Sequence, residues 1–522
     1  MLKQFIYKPT FKYLFFSVLV ILSFCHVLFC FASFGNNDDI NYARFAADWS
    51  YNNYVNALST NHYELRWVII LCTAFFYKLL GVTVFSSLLC NYLSLLLTGY
   101  LLFQQLKKAS LFVFLLGLSL YFGAHSIIFN MHRLLPDATM CTLVFALFLL
   151  YQQVLQNNFN TKKIIIIAFQ FAFVGFLAVG TKETVIIVAP LFLFYAINNY
   201  YRKQFRRFWL FVLGFFVLFM ALYLGYFKIM TGSFWYRLTI LYQNSYVNEC
   251  SYDVLPITAT IKRITYLLIR DMLLKGDMLV YIPALVACIH YKRMPNNRLL
   301  IQTFTILFLL SNFMTISFKH YVPLCHDPRH FLFLFPFAAI IGAQLLYQYV
   351  KNPKAFLLLP IVYLIVFLIL FYLKAGNTKW LYLMLFLILI LVYWLKQKQI
   401  VYRKVAVLSG VFCLFILNYA IDVWQPFYPT IQEVGMLVEK HFSNQHKPAI
   451  IYIEDAFLGE MGEFYLQFKK PSIQFKPINQ LNLASNNTIN YVIDENNRFA
   501  DTTKSKIDTI AQLKQVALYQ LR

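Results

Sequence analysis

Long apolar runs alternate with short clusters of Lys and Arg along most of this 522-residue chain. The runs are about twenty residues long, the length that an α-helix needs to cross the hydrocarbon core of a bilayer. They are bounded by basic clusters rather than by strand or amphipathic-helix patterns, which argues against one large soluble core. The pattern predicts an α-helical polytopic membrane protein with about thirteen transmembrane helices. The predicted spans are residues 13–33, 84–103, 110–130, 137–155, 164–180, 184–199, 208–229, 278–290, 299–318, 331–350, 355–373, 380–395 and 404–424.

Positive charge sets the predicted orientation of these spans. With the N-terminus in the cytoplasm, every predicted cytoplasmic loop contains Lys or Arg, as the positive-inside rule requires. Acidic residues contribute little to topology, so their positions are a semi-independent check. The twelve acidic residues that precede residue 425 all fall on or next to the outer face: Asp38, Asp39, Asp48, Glu64, Asp137, Glu183, Glu249, Asp253, Asp271, Asp277, Asp327 and Asp422.

Composition agrees with a membrane protein. Charged residues make up 13% of the chain, whereas soluble domains carry about 25%. The net charge of +23 resides in short clusters between apolar runs. It therefore reflects membrane topology, and no nucleic-acid partner is expected. We expect an integral plasma membrane protein, in the inner membrane of a bacterium, with membrane lipids among its partners.

Two further segments are predicted to lie in the membrane interface. Residues 66–81 are apolar but short, and they carry Arg66 and Lys78. Counting them as a span would put every downstream basic cluster outside, so we predict an interfacial or re-entrant helix. Apolar residues at helical spacing in residues 257–270 predict an amphipathic helix facing lipid headgroups, with a plain surface helix as the alternative. The basic residues interleaved there are Lys262, Arg263 and Arg270.

Residues 1–424 are predicted to form the transmembrane domain, with outer loops at residues 34–83, 230–277 and 319–330. The cytoplasmic loops are too short to hold a catalytic domain, so any substrate is borne by a lipid or already outside. Cys250 and Cys325 fall in the outer loops, and the sequence leaves open whether they form a disulfide.

Residues 425–522 have the composition of a small soluble α/β domain, which this orientation puts outside the cytoplasm. The segments AIIYIED (449–455) and NYVIDE (490–495) predict short buried strands. Residues 430–442 and 503–514 are predicted to be helices. No glycine-rich phosphate loop accompanies the strands, so we expect this domain to cap the outer face or help hold an acceptor.

Charged residues gather at successive outer turns. Asp38 and Asp39 directly follow the first span, where adjacent carboxylates are costly and usually have a role. Asp137 begins span four, although the helix dipole would also favour a carboxylate there. Lys182 and Glu183 occupy the turn between spans five and six. The segment before span ten adds His326, Asp327, Arg329 and His330.

The order of these features resembles the GT-C superfamily of membrane glycosyltransferases, which includes protein mannosyltransferases and aminoarabinose lipid A transferases. The resemblance covers roughly residues 10–350. The matching pieces are DDINYA after the first span, RWVIILCTAFFYKLLGVTVFSSLLCNYLSLLLTGYLL, LLPDATMCTLVFALFLLY, VGFLAVGTKETVIIVAPLFLFY and DPRHFLFLFPFAAIIG. The outer soluble tail also fits, because many members end in such a domain.

The resemblance implies catalytic roles for the acidic residues. In such enzymes the first Asp of the pair is the general base or orients the acceptor hydroxyl, which assigns that role to Asp38, with Asp39 as the other candidate. Tyr42 matches a further family position. The family's second acidic position corresponds to Asp137.

Transfer of a sugar from a polyprenyl phosphate needs a base for the incoming hydroxyl and cations for the phosphate that leaves. Lys182 matches the family's Lys after span five. Arg329 is the preferred phosphate ligand because its guanidinium fork matches phosphate geometry, and His330 and Glu183 are further site candidates. The family often has Lys-Pro-Pro before its interfacial helix; this chain departs from that pattern, and Arg66 is the candidate replacement.

A divalent metal ion is left open, and no other cofactor is expected. Some relatives use a metal at the acidic pair, which here would involve Asp38 and Asp137. A second candidate set does not match a standard zinc spacing. It comprises His320, His326, Asp327 and His330.

The expected function is transfer of a sugar from a polyprenyl-phosphate-linked donor to a lipid, glycan or protein acceptor on the outer face, by inverting displacement with an Asp base. The main alternative is a transporter or flippase of lipid-linked sugars. Transporters usually carry ionisable residues near the bilayer midplane and inverted repeats, and neither is evident here. A non-catalytic scaffold would not need charges gathered at outer turns, and a glycan ligase or polymerase is a nearer enzymatic alternative.

Overall fold

The computed structural model describes residues 9–29, 34, 37–52, 63–157, 159–243, 250–317, 319–395, 400–424, 429–445, 447–454, 456–470, 472–480, 489–495, 507–512 and 516–521. These residues form a bundle of helices followed by a five-stranded sheet. The helices of the bundle are α1 (Pro9–Phe29), α2 (Asn37–Asn52), α3 (Trp67–Leu80), α4 (Val84–Leu106), α5 (Leu111–Phe122), α6 (His125–Met131), α7 (Pro136–Gln156), α8 (Thr161–Thr181), α9 (Ala189–Tyr201), α10 (Arg206–Thr231), α11 (Tyr236–Gln243), α12 (Ile257–Lys262), α13 (Leu268–Leu274), α14 (Met278–Ile289), α15 (Arg298–Phe313), α16 (Phe335–Lys351), α17 (Leu358–Tyr372), α18 (Thr378–Trp394) and α19 (Ile400–Trp424).

Each of the thirteen predicted spans overlaps a helix or a bent pair of helices in the described residues, although the helix within 299–318 ends at Phe313. Within the described part of the chain, eight segments are long and apolar enough to cross a membrane, and the bent pair α5–α6 makes a ninth. Helices α14, α15, α17 and α18 are shorter, at 12 to 17 residues. Residues 30–33 of the first predicted span lie outside the described part of the chain. The prediction of a helical polytopic membrane protein is confirmed.

The predicted span 110–130 is two helices, whose axes differ by 56°. The residue before α6, Ala124, has no side chain that could cap the helix. Asp277 does so from a distant turn: its Oδ1 accepts from the Ser126 main-chain N (3.1 Å) and its Oδ2 accepts from Ser126 Oγ (2.5 Å). Burial raises the pKa of Asp277 to about 7. Hydropathy cannot reveal this break, because both halves are apolar.

The two ends of the bundle differ in chemistry. Lys12, in the first helix, donates from Nζ to the main-chain oxygens of Lys107 (2.7 Å) and Ala109 (2.9 Å). The start of α1 therefore lies beside the first basic loop. Lys182 and Asp137 meet at the opposite end, where α7 begins and α8 finishes.

The two segments predicted to be interfacial are helical. Residues 66–81 form the 14-residue α3, which packs between α2 and α4. Helices α12 and α13 are joined by one π-helical turn, Arg263–Leu267. The prediction that Arg263 faces headgroups is wrong, because its guanidinium is buried. It donates to the main-chain oxygen of Leu324 (2.7 Å) and to the side chain of Asn312.

Cys250 and Cys325 form a disulfide, with 5.5 Å between their Cα atoms. Next to it, the main-chain N of Tyr252 donates to the main-chain O of Tyr321 (2.9 Å). These two connections join the outer loop 230–277 to the loop 319–330. The pairing that the sequence left open is therefore made, and it lies two residues before Asp327 of the charged segment.

The C-terminal part contains two helices, α20 (Pro429–Phe442) and α21 (Ala456–Tyr465), and one mixed sheet. Its strands are β1 (Ala449–Ile453), β2 (Ile473–Pro477), β3 (Ile489–Glu495), β4 (Ile507–Gln512) and β5 (Val516–Leu521), in the order β2-β1-β3-β5-β4. Strands β2, β1 and β3 are parallel, whereas β3–β5 and β5–β4 are antiparallel. The helix predicted at 503–514 is wrong where that segment is described, because main-chain pairing with β5 makes residues 507–512 a strand.

The core of the C-terminal part continues into the bundle. The Phe34 and Phe464 rings pack edge to face with centroids 4.9 Å apart. Arg44 of α2 donates to Glu463 of α21 at 2.6 Å. Because α2 also carries Asp38 and Asp39 in its first turn, one helix connects the C-terminal part with the charged cluster.

Candidate active site

The two adjacent carboxylates after α1 have different surroundings. Asp39 is fully buried: it accepts from Arg133 Nε (2.8 Å) and from the main-chain N of Leu134 (3.0 Å), and its Oδ2 is 2.6 Å from Arg133 Nη2 in an ion pair. Asp38 keeps 27% of its side chain exposed. It accepts from the Tyr63 hydroxyl (2.7 Å) and from Arg329 Nη2 (3.4 Å). The structure thus brings Asp38 to an accessible position and uses Asp39 to join α2 to the segment before α7.

Asp137 forms a buried triad with Lys182 and His330. Lys182 Nζ is 2.6 Å from Asp137 Oδ1 and 3.0 Å from His330 Nδ1, and His330 Nδ1 is 3.2 Å from the same carboxylate oxygen. Asp137 is in the first turn of α7 because Pro136 begins that helix. Burial lowers the pKa of Lys182, and Asp137 opposes that effect. A neutral His330 that accepts at Nδ1 carries its proton on Nε2.

Arg329 connects this triad with Asp38. Asp327 fixes the backbone at Arg329, because its Oδ1 caps the turn by accepting from the Arg329 main-chain N (3.2 Å). The guanidinium Nε is 3.4 Å from Asp327 Oδ2, and Lys275 Nζ is 3.0 Å from Asp327 Oδ1. Burial alone would raise the pKa of Asp327, but Lys275 and Arg329 hold it below its ordinary value.

Arg66 lies on the other side of the cluster. It donates from Nε to Glu183 (3.0 Å) and from Nη1 to the Tyr42 hydroxyl, and its guanidinium also lies over the Tyr63 ring. Arg237 reaches the same carboxylate, with Nη2 3.6 Å from Glu183 Oε1. Burial alone would lower the pKa of Arg66, but Glu183 and Tyr42 raise it above its ordinary value.

Nine of the residues singled out in the sequence therefore meet in one cluster at one end of the bundle: Asp38, Asp39, Tyr42, Arg66, Asp137, Lys182, Glu183, Arg329 and His330. Sequence reasoning missed four of its members: Tyr63, Arg133, Lys275 and Arg237. Arg133 directly precedes the motif LLPDATMCTLVFALFLLY, and Arg237 is a lone cation in the apolar stretch after α10. A charged residue in such a setting is costly unless it is paired, and that signal was available.

An apolar cavity of about 1070 Å³ opens beside this cluster. Arg66, Glu183 and Arg237 line one end, and Tyr200 and Arg206 line the other. Its walls come from α8, α9 and α10, and no charged side chain of the described residues lines the middle. The segment from 183 to 201 contributes 19 residues, roughly 28 Å at 1.5 Å per residue, which is close to the thickness of the hydrocarbon core.

The described residues do not provide a metal site. No group of three or more His, Cys, Asp or Glu among them converges in a way that could hold an ion. The candidate histidines diverge, because each binds a different carboxylate. The pairs are His320 with Asp253 (2.8 Å), His326 with Asp271 (2.5 Å) and His330 with Asp137 (3.2 Å).

Comparisons with known proteins find likeness only in three dimensions. No family model matches the chain, and no curated protein matches it in sequence. Two solved structures of ArnT from Cupriavidus metallidurans share its fold. The apo structure matches with a TM-score of 0.64 at 11% identity over 98% of each chain. The structure bound to undecaprenyl phosphate matches with a TM-score of 0.65 at 12% identity, also over 98% of each chain. The chain therefore shares the fold of these two ArnT structures, in agreement with the resemblance to that class of protein noted in its motifs.

Proposed function

We propose that this protein transfers a sugar from a polyprenyl-phosphate-linked donor to a lipid, glycan or protein acceptor on the outer face of a bacterial inner membrane. The observation that carries this proposal is the apolar cavity with a cationic end, which opens beside an accessible carboxylate. A prenyl chain suits the apolar walls, and its phosphate suits Arg66 and Arg237. The undecaprenyl phosphate bound by the ArnT structure of the same fold supports this class of donor.

The charges of the cluster fit a phosphodiester. Its cations are Arg66, Arg133, Lys182, Arg237, Lys275 and Arg329, and its carboxylates are Asp38, Asp39, Asp137, Glu183 and Asp327. Cations thus exceed carboxylates by one, the charge of a polyprenyl phosphate sugar. During transfer the leaving phosphate gains negative charge, and preorganised cations stabilise a charge that develops in the transition state.

In the proposed mechanism Asp38 is the base. The acceptor oxygen forms a bond to the anomeric carbon while the bond from that carbon to the phosphate oxygen breaks. The acceptor proton passes to the Asp38 carboxylate, and the polyprenyl phosphate leaves with the bonding electron pair. Arg329 touches Asp38 and is our first choice of phosphate ligand, with Arg66, Arg237, Lys182 and His330 as further ligands. No step is assigned to a metal ion.

Asp39 and Asp137 then have supporting roles in this proposal. Both carboxylates are buried and already paired with cations, so neither is available to an incoming hydroxyl. Asp39 fixes the first turn of α2, and Asp137 orients Lys182. Tyr42 and Glu183 hold Arg66 at the end of the cavity.

The cavity also bears on the flippase alternative, because it extends to the cytoplasmic end of α9 in the proposed orientation. A sugar headgroup that crossed through it would meet only apolar walls between Arg237 and Arg206. Transfer of hydroxyl groups into such surroundings without hydrogen bonds is unfavourable. The cavity is therefore better suited to a lipid tail than to a passing headgroup.

The decisive variant is Asp38→Asn, measured by mass spectrometry of envelope glycans from cells that carry each form of the gene. We expect at least about a hundredfold loss of product, the usual contribution of a general base. Asp253→Asn is the matched control, an outer carboxylate paired with His320, and it should keep full activity. Full activity of Asp38→Asn in a normally inserted protein contradicts the proposal. NMR of the product linkage tests inversion, and a retained configuration excludes single displacement.

A further inference from the structure

A second cavity lies where the C-terminal part meets α2. Its volume is about 450 Å³, within the range of about 300–1,000 Å³ typical of ligand sites. Its lining differs from that of the apolar cavity, because charged and polar side chains contribute about as much as apolar ones. The lining residues are Arg44, Asp48, Glu463, Leu466, Phe468, Lys470, Ile473, Gln474, Phe475 and Lys476.

The polar groups of this cavity are only partly used by the protein itself. Arg44 is paired with Glu463 and lies over the Phe468 ring. Lys476 and Gln474, in contrast, have no hydrogen bond or ion pair to another described side chain, and Asp48 is attracted by Arg44 without an ion pair or hydrogen bond to it. Gln474 and Asp48 are exposed. Hydrogen-bond donors and acceptors therefore face a space large enough for a ligand.

We infer that this cavity binds a saccharide, the glycan part of the acceptor, so the inference rests on the proposed function. A saccharide offers many hydroxyl groups, each of which donates and accepts hydrogen bonds. Carboxylate, guanidinium and amide groups together can satisfy such a ligand, and a Phe ring offers a flat surface for its C–H face. The cations exceed the carboxylates by one here as well, which disfavours a cationic ligand.

The position of the cavity fits the acceptor side of the reaction. Helix α2 carries Asp38 in its first turn and Arg44 and Asp48 further along. At 1.5 Å per residue, Arg44 and Asp48 are about 9 and 15 Å along the helix axis from Asp38. A short oligosaccharide spans that distance. The apolar cavity of the proposed donor lipid is bounded by other helices, α8 to α10, so the two substrates would not compete for space.

Photocrosslinking in the full-length chain tests the ligand class directly. The photoreactive residue p-benzoylphenylalanine replaces Gln474 in one form and Gln480 in the control, which is exposed and outside the cavity lining. After illumination of whole cells, we expect the peptide that contains position 474 to carry an added sugar mass that periodate removes. The peptide that contains position 480 should carry no such addition. Absence of adducts at position 474, or adducts of peptide or sugar-free lipid, overturns the inference.

A kinetic comparison separates this inference from the proposed function. Lys476→Ala should raise the acceptor KM about tenfold, the effect of losing one hydrogen bond to a charged group, while kcat and the donor KM stay the same. Gln474→Ala should also raise the acceptor KM. Lys469→Ala is the control, because Lys469 lies over the Tyr51 ring and outside the cavity lining, and it should leave the acceptor KM unchanged. An unchanged KM in both cavity variants, with Asp38→Asn inactive, refutes the acceptor site and leaves the proposed function standing. Full activity of Asp38→Asn refutes the proposed function instead, whatever the adducts show.

Discussion

The buried pair of Lys182 and Asp137 allows structural and chemical roles to be separated by comparing a single variant with the double variant. Their side chains are 7% and 5% exposed and 2.6 Å apart. Removing one partner of a buried ion pair leaves an unpaired charge and typically costs about 3–5 kcal/mol. For Lys182→Met we expect a loss near the lower end, about 3 kcal/mol, because His330 stays within 3.2 Å of the carboxylate.

The double variant Lys182→Met/Asp137→Asn removes both charges, and buried pairs replaced together are often neutral in stability. We therefore expect it to recover most of the stability lost by Lys182→Met while remaining inactive in glycan transfer. Arg270→Gln is the control, an ion-paired cation that is 43% exposed, and it should change stability by less than about 1 kcal/mol.

Thermal unfolding of the four purified forms in detergent gives the order of stability, and glycan analysis gives activity. The reasoning fails if Lys182→Met is as stable as the parent protein, because then the pair does not carry the stability that its burial implies. It fails in a different way if the double variant is as unstable as the single one. An active double variant would remove Lys182 from the catalytic cluster.

Three further predictions concern residues outside the triad. The pKa of Asp277 is raised to about 7, so the folded state binds its proton more tightly than the unfolded state, and this residue's contribution to stability falls as pH rises from about 4 to 7. The melting temperature of Asp277→Asn, measured against pH, should lack that part of the pH dependence. A pH profile identical to that of the parent protein would contradict the raised pKa. A Cβ at Gly180 would lie 2.5 Å from the Trp67 ring, so Gly180→Ala should lower activity by shifting the start of α3, whereas Gly214→Ala, with open space around it, should not. Loss of the Cys250–Cys325 disulfide through Cys250→Ser should cost about 2–5 kcal/mol, and a melting temperature equal to that of the parent would show that the loop does not depend on it.

Much of the candidate site could be predicted because a membrane restricts where charge can be placed. Consecutive spans are antiparallel, so residues at alternate helix ends, such as Asp137 and Lys182, necessarily face the same side. Charged residues that avoid the apolar runs are thereby gathered at the helix ends. The order of the motifs then sufficed to indicate the fold that this chain shares with the ArnT structures, even though identity to them is only 11% and 12%.

The sequence by itself determined the spans, the short apolar helix α3 and the helix–strand order at the start of the C-terminal part, because hydropathy and periodicity are local properties. Tertiary structure alone decided which of two neighbouring carboxylates is accessible, since Arg133 comes from 94 residues away to bury Asp39. It also decided that Arg263 is buried, that Asp277 caps a broken span and that residues 507–512 form a strand. Each of these outcomes depends on a partner residue distant in the chain, and a local sequence pattern contains no information about that partner.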